Sequence, residues 1–233
     1  MIIIKPKTGK CVHCLIEFNE LTWDHVFPKA WYPDDVTIEG KWKVPACKEC
    51  NNKLSRIEKE LWLAFGISHG DMKNIYQKIR RSIDCTYAKN EKDKIARKQA
   101  KEALMRKIKL FDRNTEGCFP NIDNRDLYPE NVNKILGIEI SDVDIKKFTE
   151  KIIRGITYIV DNKYITTEYD IDTYIVKEDN IDSSLDDLWM QADIYKKPGI
   201  EIKRVTDVSE KAALYRIVIW DKIIIYGSVI IKE

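Results

Sequence analysis

Leu54, Ile57, Leu61 and Ala64 recur at intervals of three and four residues, which predicts an amphipathic helix over residues 51–65. Gly66 and Gly70 fit its termination. A second helix is expected over residues 71–84, with Asp71 as its cap. Ala96, Ala100, Leu104, Ile108 and Phe111 repeat the same spacing and predict a third over residues 90–111. Ser141 and Asp144 resemble a capping box that opens a fourth helix ending near Tyr158. Residues 183–192 suggest one more. Strand character dominates elsewhere, at residues 22–27, 41–44, 164–176, 200–205, 214–220 and 223–231, with Asp221-Lys222 as a weak hairpin turn. Residues 1–7 read as a short strand or lead-in. Asp34 and Asp35 belong to turn material between residues 28 and 40.

Residues 114–130 are rich in Asn, Asp, Gly and Pro and read as a linker. The expected division is therefore residues 1–66, a basic helical extension at 67–113, the linker, and an acidic α+β domain at 131–233. Charge sharpens that division. Residues 1–113 carry 24 Lys and Arg against 15 Asp and Glu, a net of +9, whereas residues 114–233 carry 16 against 23, a net of −7. A basic half suits a polyanion. The closing apolar hairpin at 214–231 is expected to bury itself in a sheet or against a partner chain, so a homo-oligomer or protein partner is expected through the C-terminal domain.

No apolar run approaches the roughly 20 residues that span a bilayer, so no membrane role is expected. The opening Met1-Ile2-Ile3-Ile4-Lys5 does not have the form of a signal peptide. Four of the six cysteines form two tight pairs, Cys11/Cys14 and Cys47/Cys50. In a chain without an export signal that pattern reads as metal ligation, and the expected compartment is the cytoplasm. Two such turns supply four thiolates to one structural Zn²⁺ at about 2.3 Å. A redox dithiol or iron–sulfur ligation is the lesser alternative. The 32 residues between the pairs leave room for a β-hairpin. Cys85 and Cys118 lack close partners and read as ordinary thiols.

Inside that insertion lie Asp24 and His25, adjacent on a strand and so directed to opposite faces. Asn51 follows the last cysteine directly. Asp24 and Asn51 offer a sparse oxygen site of the kind that holds Mg²⁺. His13 reads as an exposed turn residue, since four cysteines already complete a tetrahedron, and His69 as a loop residue. Trp23, Trp31, Tyr32 and Trp42 can stack on bases or fill a small core, and core is expected for at least two. The basic helix at 90–111 can track phosphates or simply face solvent.

Cys11, Cys14, Asp24-His25, Pro28, Cys47, Cys50, Asn51 and Lys53 together resemble the HNH endonuclease family, in its branch stapled by four cysteines. The resemblance covers about residues 11–60. It implies the ββα-metal fold for the N-terminal domain; the periodicity of the remaining residues adds a helical extension and a C-terminal α+β domain with an antiparallel sheet, so the whole chain is expected to be α+β. It implies that His25 is the general base, that Asp24 and Asn51 hold one Mg²⁺ or Mn²⁺, and that the four cysteines bind structural Zn²⁺. Lys29, Lys48, Lys53 and Arg56 are the candidate nucleic-acid contacts beside these residues. DNA is the expected substrate and partner, and a phage-defence or mobile-element nuclease the expected setting. Two features depart from the family. No Asn lies between His25 and Cys47, and no His lies between Asn51 and Gly66. The alternative function is a zinc knuckle that binds nucleic acid or assembles with other proteins without cutting.

Overall fold

A computed structural model describes residues 8–33, 39–68, 73–115, 128–175, 184–207, 209 and 211–232. The expectations for residues 1–7, Asp34, Asp35, His69, Gly70, Asp71, Cys118 and Ser183 lie outside these residues. In chain order the strands are β1 (Gly9–Lys10), β2 (Glu17–Phe18), β3 (Thr22–His25), β4 (Lys43–Ala46), β5 (Ile108–Asp112), β6 (Lys134–Ile138), β7 (Tyr169–Tyr174), β8 (Asp193–Lys197), β9 (Ile200–Thr206), β10 (Ala212–Ile219) and β11 (Ile223–Ile231). The helices are α1 (Lys48–Ser68), α2 (Lys73–Ile83), α3 (Glu91–Lys107), α4 (Asp142–Asp161) and α5 (Ser184–Met190). The chain is thus mixed α+β with antiparallel pairing throughout its described sheets.

Two compact units emerge, and they do not follow the expected boundaries. One joins Met1–Glu58 to Ile145–Glu233, and the other is Lys59–Asp144. Residues 145–233 therefore do not stand apart as a separate domain. They share a core with the cysteine-rich segment.

That core is built around α4. Ile145, Phe148, Ile152 and Ile156 give the helix an apolar stripe, but Lys151, Ile153, Gly155 and Thr157 are buried as well, so the helix is covered on more than one side. On one side lies the sheet ordered β7-β11-β10-β9-β8. Gly227 of β11 makes room there for Ile153, whose Cδ1 would lie 2.4 Å from an added Cβ. Thr157 Oγ1 and the Tyr215 hydroxyl are 2.8 Å apart. On another side lie residues of the first sixty. Trp31 stacks on Phe148 with centroids 4.7 Å apart and meets Trp220 at 5.2 Å. Such aromatic pairs add about 0.5–1.5 kcal/mol beyond the area they bury. Trp31 and Tyr32 are core residues, as expected for two of the four aromatics.

The β10–β11 turn reverses direction at Trp220 and Asp221, both with positive φ (50° and 61°). A bulky residue rarely adopts this conformation. Here Trp220 is buried and its indole N–H donates to the Trp31 carbonyl at 3.0 Å, which holds the turn in place.

The second unit corrects three expectations. Helix α1 continues through Gly66 to Ser68. Gly66 does not end the helix but lets it approach α2, because an added Cβ would lie 1.7 Å from Ile79 Cδ1. Helix α3 is capped by Asn90, whose side chain accepts from the Asp93 N–H, and it stops at Lys107. Residues Ile108 to Asp112 leave the helix and pair with β6 in the register Ile108↔Ile138 and Leu110↔Leu136. β-Branched and apolar residues with a partner strand favour the sheet over a further helical turn. The segment read as a domain linker is thus bracketed by two paired strands. Strand β8, at the edge of the large sheet, was not anticipated by periodicity.

Candidate metal centre and the buried ionic chain beside it

The first cysteine pair sits in a tight turn. Leu15 N–H donates to Cys11 O at 2.9 Å and Cys11 N–H to Ile16 O at 3.0 Å, with Leu15 at φ 64°. The second pair overlaps the start of α1, which begins at Lys48, so Asn51 is its fourth residue rather than its first. The Val12 N–H donates to Pro45 O at 3.0 Å and ties the two turns together. All four Sγ atoms lie within 4.8 Å of one another, and Cys14 and Cys47 sulfurs are 4.0 Å apart. Four sulfurs 2.3 Å from a tetrahedral zinc would be about 3.8 Å from each other, so the cluster is compatible with structural zinc. All four are free thiols.

Backbone groups tune the cluster. Burial pushes the Cys11 thiol up, but hydrogen bonds from the backbone of Cys14, Cys47 and His13 outweigh it and bring the pKa below the ordinary value. The Cys50 N–H donates to Cys47 Sγ at 3.3 Å. The backbone bonds favour the thiolate form at Cys11, whereas burial pushes the Cys14 and Cys50 thiols up.

Strand β3 pairs with β4 in the register Thr22↔Ala46, Asp24↔Val44 and His25↔Lys43, and α1 follows β4 after Cys47. Asp24 and His25 take opposite faces, as their adjacency requires. Asp24 is buried, with the whole residue 4% exposed. Its Oδ2 accepts from His13 Nε2 at 2.8 Å, and its Oδ1 accepts from Lys151 Nζ at 3.0 Å. Lys151 also donates to Glu58 Oε1. The result is a chain of four side chains, His13, Asp24, Lys151 and Glu58, that are 7%, 5%, 0% and 13% exposed. Burial would raise the Asp24 carboxyl, but the His13 bond and the Lys151 charge win and hold it below the usual carboxylate range. Burial pushes the Glu58 carboxyl up against the pull of Lys151.

His13 is therefore not the exposed turn residue the sequence suggested. It carries the link between the cysteine cluster and Asp24. Lys151 and Glu58 were not singled out in the sequence at all. The one local signal is helical position: Lys151 lies one turn after Phe148 and next to Ile152, beside the apolar stripe of α4, where a buried charge needs a partner.

His25 lies half-buried on the other face of β3, where the pull of the neighbouring Asp24 carboxylate toward the charged form is outweighed. Burial first, then the charge of Lys43 across the strand pair, push its imidazole down to about 4. Asn51 uses its amide N–H to donate to Thr22 Oγ1 at 3.0 Å, and Thr22 in turn donates to Ala46 O. These bonds fasten α1 to the hairpin. Lys29 lies exposed in the short 3-10 turn Lys29–Trp31, and Lys48, Lys53 and Arg56 lie exposed on the first turns of α1. Trp23 and Trp42 are half-buried.

Asp24, the carboxylate assigned to a divalent ion, does not fit one in this arrangement. Both oxygens of Asp24 are held by nitrogen donors inside the fold, and Asn51 turns its amide to Thr22. No helix among the described residues is long and apolar enough to cross a membrane. No family model, curated protein or solved structure matches the chain.

Proposed function

We propose that the chain is a zinc-stapled endonuclease of the HNH type that hydrolyses phosphodiester bonds of DNA, with His25 as general base. One observation carries the reading. The four sulfurs gather where the β3–β4 hairpin meets the start of α1, and that hairpin presents His25 opposite Lys43. A cysteine pair, a β-hairpin, a second cysteine pair and a helix, in this order, are what the four-cysteine ββα-metal resemblance implies.

The chemistry assigned to the chain's own residues is short. Neutral His25 takes a proton from water. The oxygen of that water forms the new bond to phosphorus, and the bond to the 3′-oxygen breaks, the 3′-oxygen leaving with the bonding pair and taking a proton from solvent. The products are a 5′-phosphate and a 3′-hydroxyl. Lys41 and Lys43 hold the phosphate oxygens. Their charges help depress the His25 pKa, and a bound phosphate offsets those charges, which moves the imidazole back toward the range where a base is effective. The family resemblance adds one Mg²⁺ or Mn²⁺ at Asp24 and Asn51. Both Asp24 oxygens are engaged by His13 and Lys151, so no step here passes through the ion.

The same engagement favours a second reading, a zinc-stapled module that binds nucleic acid without cutting it. One experiment separates them. Supercoiled plasmid is incubated with the full chain in Mg²⁺, in Mn²⁺ and in EDTA. Under the first reading wild type nicks or linearises it, and His25→Ala loses about 10²-fold or more of that rate while keeping its zinc and its melting temperature. Equal cleavage by His25→Ala removes His25 from the mechanism. Binding of DNA by wild type with no cleavage in any condition establishes the second reading.

A further inference from the structure

We infer that Lys151 is the resident cation of the Asp24 site: its ammonium stands where the HNH-type reading, on which this inference rests, would put a divalent ion, and it excludes Mg²⁺ and Mn²⁺ from Asp24 in the folded chain.

The geometry is that of a cation between two carboxylates. Nζ of Lys151 reaches Asp24 Oδ1 at 3.0 Å and Glu58 Oε1 as well. Asp24 comes from the β3 strand, Glu58 from α1 and Lys151 from α4. The strand and the first helix are the two elements from which the HNH-type reading draws its metal ligands. Two buried carboxylates facing each other would repel, and something positive must lie between them. The chain supplies that charge itself. A lysine suits the task, being a compact point charge with three donors on a flexible stem.

Displacement by an ion is opposed on three counts. Each Asp24 oxygen already accepts a buried hydrogen bond, Oδ2 from His13 and Oδ1 from Lys151. Magnesium keeps several waters and an octahedral shell, and Asp24 and Lys151 are almost wholly withdrawn from solvent. Nor does α4 behave as a lid. Phe148 is stacked on Trp31, Gly155 is fitted against Val26, and Ile153 and Thr157 are packed on β11 and β10. Withdrawing Lys151 with its helix would dismantle the core. The ammonium is thus a permanent part of the site, and Lys151 is a positioning residue for Asp24.

The test is a titration of zinc-loaded full chain with Mn²⁺, following the free-ion electron paramagnetic resonance signal. Wild type and Asp24→Asn are expected to bind Mn²⁺ alike, with no site that depends on Asp24. Lys151→Ala should gain one Mn²⁺ site, at least about tenfold tighter than any in wild type, because a unit charge next to the carboxylate is gone. Adding Asp24→Asn to Lys151→Ala should abolish that site. A wild-type site that disappears in Asp24→Asn overturns the inference, and so does a folded Lys151→Ala chain with no gained site. Should Lys151→Ala fail to fold, the wild type decides alone. Nitrogen-15 spectra of its lysine ammonium groups should contain one signal protected from solvent exchange that Mn²⁺ does not broaden. Selective broadening of that signal overturns the inference. None of these readouts involves cleavage. An inactive chain that passes them sinks only the nuclease reading, and a Mn²⁺-dependent nuclease that binds the ion through Asp24 sinks only this one.

Discussion

The His13 imidazole donates from Nε2 to Asp24 Oδ2 across 2.8 Å, and both side chains are almost wholly buried. His13 lies between two of the cysteines in the metal cluster, so one residue of the knuckle reaches out of it to hold an acid on the neighbouring strand. Replacing His13 by Ala leaves a buried carboxylate oxygen without its donor, which costs about 1–3 kcal/mol. Urea unfolding of zinc-loaded His13→Ala should show a loss of that size with zinc content unchanged. An exposed turn residue would give a change within about 0.5 kcal/mol.

The cysteine cluster should hold one zinc per chain. Cys47→Ser is expected to lose it, since the amide-supported tetrahedron needs all four thiolates. Metal binding of this kind contributes directly to folding free energy. With about 2–4 °C of melting temperature per kcal/mol in a domain of 150–250 residues, the variant and the chelator-stripped wild type should both melt about 10 °C or more below the holoprotein. Metal analysis and a thermal melt check this together. A wild-type chain that purifies without stoichiometric zinc ends the metal-centre assignment.

Helix α3 offers a separate test of the DNA assignment. Lys98, Lys101 and Arg106 line an open groove of about 620 Å³ on its surface, next to Cys85. If these side chains neutralise phosphates, Lys98→Glu with Lys101→Glu should weaken DNA binding uniformly across sequences. It should also lower the slope of log affinity against log salt by about 1 for each contact removed. Unchanged affinity and slope would leave α3 as a solvated face.

What was legible in the sequence was what is local. A Cys-x-x-Cys turn declares its geometry within four residues, and the two pairs converge as expected. The three- and four-residue spacing of Leu54, Ile57 and Leu61 placed α1, and the apolar run over residues 223–231 placed β11. What stayed hidden was long-range. Lys151 and Asp24 are 127 positions apart, and no periodicity links a lysine in one helix to an acid in a distant strand. The charge split between the halves suggested two domains, whereas α4 is shared by the sheet and the cysteine-rich segment within one unit. Ile108 fitted the helical stripe of α3 as well as it fitted a strand, and only its partner, Ile138, decides between them.

The close approach of α4 to the β3 hairpin can be probed without touching any charge. Gly155 lies against Val26, and an added Cβ would sit 2.5 Å from Val26 Cγ2 and 2.9 Å from Cγ1. In an exposed helix, Gly→Ala would stabilise by about 0.5–1 kcal/mol. Here the new methyl meets a stiff, fully buried β-branched side chain, and overpacking costs about 1–3 kcal/mol. Gly155→Ala should therefore destabilise by about 1–2 kcal/mol in urea titration. Val26→Ala removes the two colliding methyls, so the double variant should be more stable than the sum of the single effects predicts, with a coupling of at least about 0.5 kcal/mol. A stabilising Gly155→Ala, or strict additivity, would mean that the helix does not press on the hairpin. The same outcome would remove the packing that holds Lys151 against Asp24.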